Sequence, residues 1–281
     1  MIKRIDLHTH SSCSDGTLTP KELARHARDA GLAAIALTDH DSMAGMREFL
    51  AECERLGIEG IPGVEISVRY KRELHIVGLY AEGDELREAL FCLANSRGER
   101  NLKMLKKMRD YGFDVTEHDL ISQSDGAVIS GVGRLHIANA LVGKGYAKDK
   151  DEAFSKYLAK GAKFYEKRFS LSPEERISLI KRSGGIAIWA HPAYAADTAA
   201  EMSELAARLK SAGLDGMECL YSRYSSEQTE LCFRVAGETG ILPSGGSDFH
   251  GTNKPDVRLG VVSGGGYVPY EYLENLRKTR S

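Results

Sequence analysis

The chain has 281 residues, a formal net charge of −2 and 42 % apolar residues. That length suits one large α/β barrel, or a barrel with an inserted subdomain. The near-neutral balance argues against stable binding to duplex nucleic acid or to an anionic membrane. No apolar run is long enough to span a bilayer, and the first strand pattern begins at Ile2, which leaves no room for a signal peptide. Five cysteines (Cys13, Cys53, Cys92, Cys219, Cys232) are scattered without a CxxC pair. Reduced thiols in a cytoplasmic protein are therefore expected.

In chain order, "IKRIDLH" (2–8) reads as a strand. Thr19-Pro20-Lys21-Glu22 reads as a capping box opening a helix that Gly31 ends. "LAAIALT" (32–38) is a buried-type strand, and a helix runs from near Ser42 to Gly57. "GVEISVRY" (63–70) and "ELHIVGLY" (73–80) are strands joined by a tight polar turn. Residues 83–165 show helical stretches and glycine stops without a strand pattern. Within them Arg100, Lys103 and Lys107 are expected on a solvated helix face opposite Leu102, Leu105 and Met108. Alternation resumes at the capped start Ser172-Pro173-Glu174-Glu175, with strands at 185–191, 214–221 and 240–250 and a further capping box at Ser225–Gln228. A last strand at 257–262 and a closing helix at 268–280 complete the pattern. The expected organisation is a discontinuous barrel (1–82 and 166–281) with a helical insert at 83–165.

Metal-ligand residue types gather at the strand ends. His8 and His10 end the first strand, with Asp15 in the loop that follows. His40 and Asp41 follow the second strand, Glu65 lies in the third and His75 in the fourth. His191 ends "AIWAH", and Asp248 and His250 end "SGGSDFH". In parallel β/α barrels the strand C-termini converge on one mouth, and residues i and i+2 of a strand face the same side. Imidazole with carboxylate suits Mn, Fe or Zn. Nine candidates (His8, His10, Asp15, His40, Glu65, His75, His191, Asp248, His250) are too many for one ion and suit two or three. Asp41 is a weaker candidate, either orienting an imidazole or charging a helix start. His26 and His118 read as surface residues and Cys13 as a passive loop thiol.

"DLHTHSSCSDGT", "ALTDHD", "PGVEIS", "HIVGLY", "AHPA" and "GGSDFHG" together resemble the successive motifs of the PHP family, the polymerase and histidinol phosphatase domain. The chain is most similar to its branch of small bacterial metal-dependent phosphoesterases with a helical insert. "GVGRLHIANALVGKGY" resembles that branch's "GRPHIARAL" segment, with Leu135 where proline is usual. The resemblance implies a distorted (β/α)7 barrel with an all-helical insert. It implies a first ion on His8, His10, Glu65 and Asp248, and a second on Glu65, His75 and His191. A third would lie on Asp15, His40 and His250, with Asp15 where histidinol phosphatases often carry histidine.

Clustered divalent ions at an open mouth support hydrolysis of phosphate esters. The expected route is in-line attack by a hydroxide held between two ions, with Asp248 orienting it and Glu65 bridging the ions. Arg134, His136 and Lys163 of the insert, and Arg223 at a strand end, are candidate phosphate contacts. The favoured substrates, implied by the resemblance, are a nucleoside 3′,5′-bisphosphate or a short 5′-phosphorylated RNA end. The alternatives are a ribose cyclic phosphate, an amide, or a non-catalytic metal module.

Overall fold

The computed structural model describes residues 3–121, 133–167 and 169–280. They form two compact units, Met1–Glu88 with Leu171–Ser281, and Ala89–Ser170.

The first unit carries eight strands: β1 (Arg4–Asp6), β2 (Ala34–Leu37), β3 (Glu59–Arg69), β4 (Glu73–Leu79), β5 (Ile186–Ala190), β6 (Gly216–Tyr221), β7 (Leu242–Gly246) and β8 (Val268–Pro269). Their order in the sheet is β7-β6-β5-β4-β3-β2-β1-β8. Pairing is parallel from β1 to β3 and from β5 to β7. β4 runs antiparallel to both β3 and β5, and β8 antiparallel to β1. Past the strand ends, Thr9 bridges Phe249 in parallel. Asp248 N donates to His8 O and His10 N to Phe249 O, each at 2.9 Å. These bonds join the continuations of β1 and β7 and nearly close the sheet into a barrel.

Alternation along the strands explains the two cores. Ile5, Leu7, Ala34, Ala36, Ile61, Val77, Ile186 and Ile188 form one cluster. The intervening Ile35 and Leu37 pack instead with Leu23, Ala24 and Ala27 of α1 (Pro20–Asp29) and with Phe49 and Cys53 of α2 (Met46–Leu56). Both faces of β2 are covered, which is why its sequence is continuously apolar. The Thr19–Glu22 box forms, with Glu22 Oε2 accepting from Thr19 N at 2.8 Å. α2 begins at Met46 rather than near Ser42 and ends at Gly57 in a left-handed cap.

The second unit includes most of α3 (Asp84–Asp110), then α4 (Glu117–Ile121), α5 (Arg134–Gly143) and α6 (Lys150–Ala153), which runs into a π turn at Phe154–Leu158. Met104, Leu105, Met108, Ile137, Leu141, Leu158 and Phe164 form its core. The solvated face expected for α3 is displaced: Arg100 is only 8 % exposed, while Leu102 is 42 % exposed. Arg100, Met104 and Met108 recur every four residues and so share the buried face.

The first unit continues with α7 (Pro173–Arg182), α8 (Ala199–Ser211), α9 (Ser226–Thr239) and α10 (Tyr270–Arg277). The boxes at Ser172 and Ser225 both form. The strand expected at 257–262 does not. Gly260 turns there in the left-handed region (φ 72°), and its N–H goes to Asp6 Oδ2 at 2.8 Å. Val257 and Leu259 then join the cluster of Ile35 and Leu37 with α1 and α2, while Val262 joins that of Ile5 and Leu7.

Candidate metal centre

β1 is short, and the chain beyond it carries His8 and His10 in an extended run between the ends of β2 and β7. Asp6, fully buried, accepts from Ser247 N, Ser247 Oγ and Gly260 N at 2.9, 2.5 and 2.8 Å. Those bonds fix the end of β7 against β1. Gly246 makes the approach possible, since a Cβ there would lie 2.4 Å from His8 Cβ and 2.7 Å from His8 N. On the other side Asp39 accepts from Ser11 N, Ser11 Oγ and Ser14 Oγ at 2.7, 2.6 and 2.7 Å. This secures the loop that carries Asp15.

All nine candidate ligands come together. His8 Nε2 and His10 Nε2 are 3.1 Å apart. Glu65 Oε2 lies 3.2 and 3.3 Å from them, and Asp248 Oδ1 3.6 and 3.3 Å. The other Glu65 oxygen, Oε1, is 2.9 Å from His75 Nδ1 and 3.0 Å from His191 Nε2. Asp15 lies 3.2 Å from His250 Nε2, 3.7 Å from His10 Nδ1 and 3.8 Å from His40 Nε2. His40 Nδ1 also stands 3.0 Å from Glu65 Oε2. Because β4 is antiparallel, His75 reaches this end from near the N-terminus of its strand, Glu65 comes from the middle of β3, and His8, His10, His40, His191, Asp248 and His250 follow the C-terminal ends of β1, β2, β5 and β7.

The atoms aim past one another. Glu65 Oε2, His40 Nδ1 and His191 Nδ1 are buried and make no hydrogen bond of proper geometry, although neighbours stand close. Such groups are costly unless something else satisfies them. Among the described residues four overlapping sets, each with atoms mutually within 4.8 Å, meet the spacing for holding an ion: His10–Asp15–His40–His250, His8–His10–Glu65, His40–Glu65–His75 and Glu73–His75–His191. An imidazole and carboxylate donor set fits divalent cations.

Tautomers are set from behind. Glu218 Oε1 accepts from His8 Nδ1 at 2.8 Å, leaving Nε2 for the cluster. The main-chain carbonyl of Asp248 accepts from His250 Nδ1 at 2.8 Å, turning that Nε2 toward Asp15. Burial alone would neutralise Glu65 and Asp248. The surrounding imidazoles outweigh it and hold both carboxyls well below their usual range. Burial likewise opposes the charge on His8 and His10, but the carboxylates prevail, raising His8 and bringing His10 to about 9. For His40 burial wins, aided by His10 and His75, and its pKa falls to about 4.

Backbone strain concentrates here. Of the four non-glycine residues with positive φ among the described residues, three are Asp41 (48°), His191 (32°) and Asp248 (56°). Unfavourable conformations of this kind persist where the surroundings enforce them. Asp41 Oδ1 accepts from Ser67 N at 3.2 Å, tying the β2 end to β3.

The sequence of this chain matches the PHP domain model over residues 6–171, more than half of its length. The chain belongs to the PHP family. A 5′-3′ exoribonuclease of Haemophilus influenzae is 35 % identical over 255 residues, covering 89 % of this chain and 91 % of the relative. A 3′,5′-nucleoside bisphosphate phosphatase of Chromobacterium violaceum is 34 % identical, covering 89 % and 88 %. The solved structure of a Bifidobacterium adolescentis protein, assigned as a metal-dependent phosphoesterase, superposes with a TM-score of 0.68 at 27 % identity, covering 99 % and 97 %.

The remaining expected contacts of this PHP chain are less concentrated. Arg223 gives Nε and Nη2 to Asp256 at 2.8 and 2.5 Å. Arg134, His136 and Lys163 belong to the second unit. Arg134 opens α5 and donates from Nη1 to Leu158 O at 3.3 Å. His136 Nδ1 accepts from Gly133 N at 3.0 Å. The Lys163 ammonium sits 4.1 Å from the centre of the Tyr111 ring. Gly131 and Val132 of "GVGRLHIANAL" lie outside the described residues. Sequence reasoning missed Glu218, Glu73, Tyr221 and Lys254. Glu218 was open to discovery, being a carboxylate inside the apolar strand "MECLY". Tyr221 and Lys254 carried no comparable signal.

Proposed function

We propose that this PHP chain hydrolyses a small phosphorylated substrate, a nucleoside 3′,5′-bisphosphate or a short 5′-phosphorylated RNA end, at a centre of two to three Mn, Fe or Zn ions. The observation that carries the reading is the division of Glu65: Oε2 faces His8, His10 and His40, while Oε1 faces His75 and His191. A carboxylate so placed suits a bridge between two ions. One ion would be held by His8, His10, Glu65 and Asp248, a second by Glu65, His75 and His191, and a third by Asp15, His40 and His250. Bound there, divalent ions lower the pKa of water, hold phosphoryl oxygens and offset charge on the leaving oxygen.

The chain's own residues set the geometry. Glu218 fixes the His8 tautomer, and Tyr221 donates to Asp248 Oδ2 at 2.8 Å, leaving Asp248 Oδ1 for the cluster. The helical insert (83–165) as a lid, with Arg134, His136 and Lys163 on a substrate phosphate, is part of this proposal. It rests on the segment around Arg134. A cytoplasmic setting belongs to it as well, supported by cysteines without paired spacing. Among the described residues no helix is long and apolar enough to cross a membrane.

The test is a screen of Mn²⁺-loaded protein against nucleoside bisphosphates, 5′-phosphorylated oligoribonucleotides, a ribose cyclic phosphate, simple monophosphates and amides. Fastest turnover on the first two classes supports the reading. Preference for the cyclic ester would move the substrate to a phosphodiester, and turnover of amides alone would reject phosphoester hydrolysis.

A further inference from the structure

Among the cations expected to meet phosphate, Arg223 is engaged by Asp256 through two nitrogens. Another cation of the first unit reaches the ligand cluster. Lys254 lies four residues beyond His250, and its Nζ donates to Asp248 Oδ2 at 2.5 Å. Tyr221 donates to that same oxygen at 2.8 Å. The opposite oxygen, Oδ1, faces His8 Nε2 and His10 Nε2 at 3.6 and 3.3 Å. One carboxylate group therefore separates the ammonium from the paired imidazoles.

The local backbone holds the lysine in place. Lys254 follows the short 3-10 turn Gly251–Asn253, its N–H donates to Gly251 O at 3.3 Å, and its carbonyl accepts from Val257 N at 3.0 Å. An ammonium has three N–H donors. Asp248 takes one, in the only hydrogen bond this ammonium makes among the described residues, and the side chain is 25 % exposed. Neutralising Asp248 does not by itself require the lysine. Oδ2 already accepts from Tyr221, and the two imidazoles already face Oδ1. What the ammonium adds is spare donors and a positive charge at the edge of the cluster.

We propose that Lys254 is the barrel's own contact to the phosphoryl group of the substrate. The inference rests on the phosphoesterase reading above. An ammonium with free donors beside a metal-binding carboxylate suits a phosphoryl oxygen held at the same centre, where the charge-assisted bond acts alongside the ions. The lysine works from the barrel and is independent of what the insert contributes.

The experiment compares wild type with Lys254→Met, which keeps an unbranched stem, and Lys254→Arg, which keeps the charge. Three readouts are taken on Mn²⁺-loaded protein: metal content, inorganic phosphate affinity by calorimetry, and thermal melting. The expected result for Lys254→Met is full metal content, an unchanged melt and phosphate binding weakened about tenfold or more, the scale of a lost charge-assisted contact. Lys254→Arg should regain part of the affinity. Should Lys254→Met melt early, Lys254→Gln replaces it in the comparison. Unchanged phosphate affinity overturns the proposal. So does loss of metal in step with loss of phosphate, because the lysine would then serve only Asp248. Wild-type protein that binds no phosphate and cleaves no phosphate ester would bring down the functional reading and this inference with it, a pattern distinct from failure of the variants alone.

Discussion

Glu218 accepts a hydrogen bond from His8 Nδ1 at 2.8 Å, and so decides which imidazole nitrogen faces the ligand cluster. Its second oxygen accepts from His191 N at 2.7 Å, so the same side chain also seats a second candidate ligand. Glu218→Gln keeps an acceptor but removes the charge. Carboxylates behind metal-binding histidines typically contribute 10–100-fold to metal affinity, so Mn²⁺ affinity should fall by about tenfold or more. Glu218→Ala leaves a buried N–H without a partner and should weaken binding further and lower the melting temperature. A Mn²⁺ competition titration measures both. Equal affinity in all three proteins would remove Glu218 from the centre.

Glu65 should be the most sensitive ligand, because its two oxygens face different sets of imidazoles. Wild type is expected to hold two to three ions per chain after loading with Mn²⁺. Glu65→Gln should lose more than one of them, together with nearly all phosphoesterase activity, while remaining folded. Elemental analysis and circular dichroism on the same samples check this. Full occupancy with ordinary turnover would show that Glu65 bridges nothing.

The pH dependence should reverse sign when metal is added. In the metal-free chain His10 titrates at about 9, raised by Asp248 and Glu65 against the effect of burial. A group raised above its unfolded value of about 6.5 stabilises fully below that pH, and the contribution disappears as pH climbs through about 9. His40, lowered to about 4 by burial, takes up its proton more readily when unfolded. It therefore costs stability as pH falls from about 6.5 to about 4. The depressed carboxyls of Glu65 and Asp248 add stability above roughly pH 4 that is lost on further acidification. Metal-free protein should thus melt highest near pH 6.5. Metal binding must displace the His8 and His10 protons, so Mn²⁺ should raise the melting temperature increasingly from pH 6.5 to 9. Melts across this range with and without Mn²⁺ decide, and a metal-free melting temperature still rising at pH 9 would contradict the assignment.

Arg134 makes a sharper test of the insert than of the barrel. If it meets a second substrate phosphate, Arg134→Ala should leave metal content intact and raise KM for a bisphosphate by about tenfold or more, with less effect on the matched monophosphate. Equal losses on both substrates would end that role.

The cluster of candidate ligands was legible because strand alternation and strand ends convert sequence spacing directly into a shared mouth. His8 and His10 needed no tertiary information to be paired. The antiparallel run of β4 was less visible, since "ELHIVGL" reads the same whichever way the strand lies; only its tight turn from β3 signals reversal. Arg100 misled because hydrophobic patterning marks a face without marking its edges. Lys254 stayed hidden because an ordinary lysine near "DFHG" shows its partner only once the turn at Gly251–Asn253 brings it back to Asp248.

Gly246 offers a test of how closely the fold and the centre are coupled. A Cβ added there would stand 2.4 Å from His8 Cβ and 2.7 Å from His8 N. The obstacle is partly backbone, and Asp6 holds both sides of the contact through Ser247 N and Oγ on one strand and His8 N on the other. Relief requires the end of β7 to move away from β1, which would displace Asp248 and His250 relative to His8 and His10. Gly246→Ala is therefore expected to destabilise by about 1–3 kcal/mol, the usual range for overpacking, and to lower metal content beyond what partial unfolding explains. Gly237, where a Cβ meets nothing within 4 Å, is the control. Gly237→Ala lies within α9 and should stabilise by about 0.4–1 kcal/mol through the reduced freedom of the unfolded chain. Denaturant titrations and elemental analysis on both variants give the comparison. Normal metal content in a folded Gly246→Ala protein would show that the centre tolerates a shift of β7 against β1.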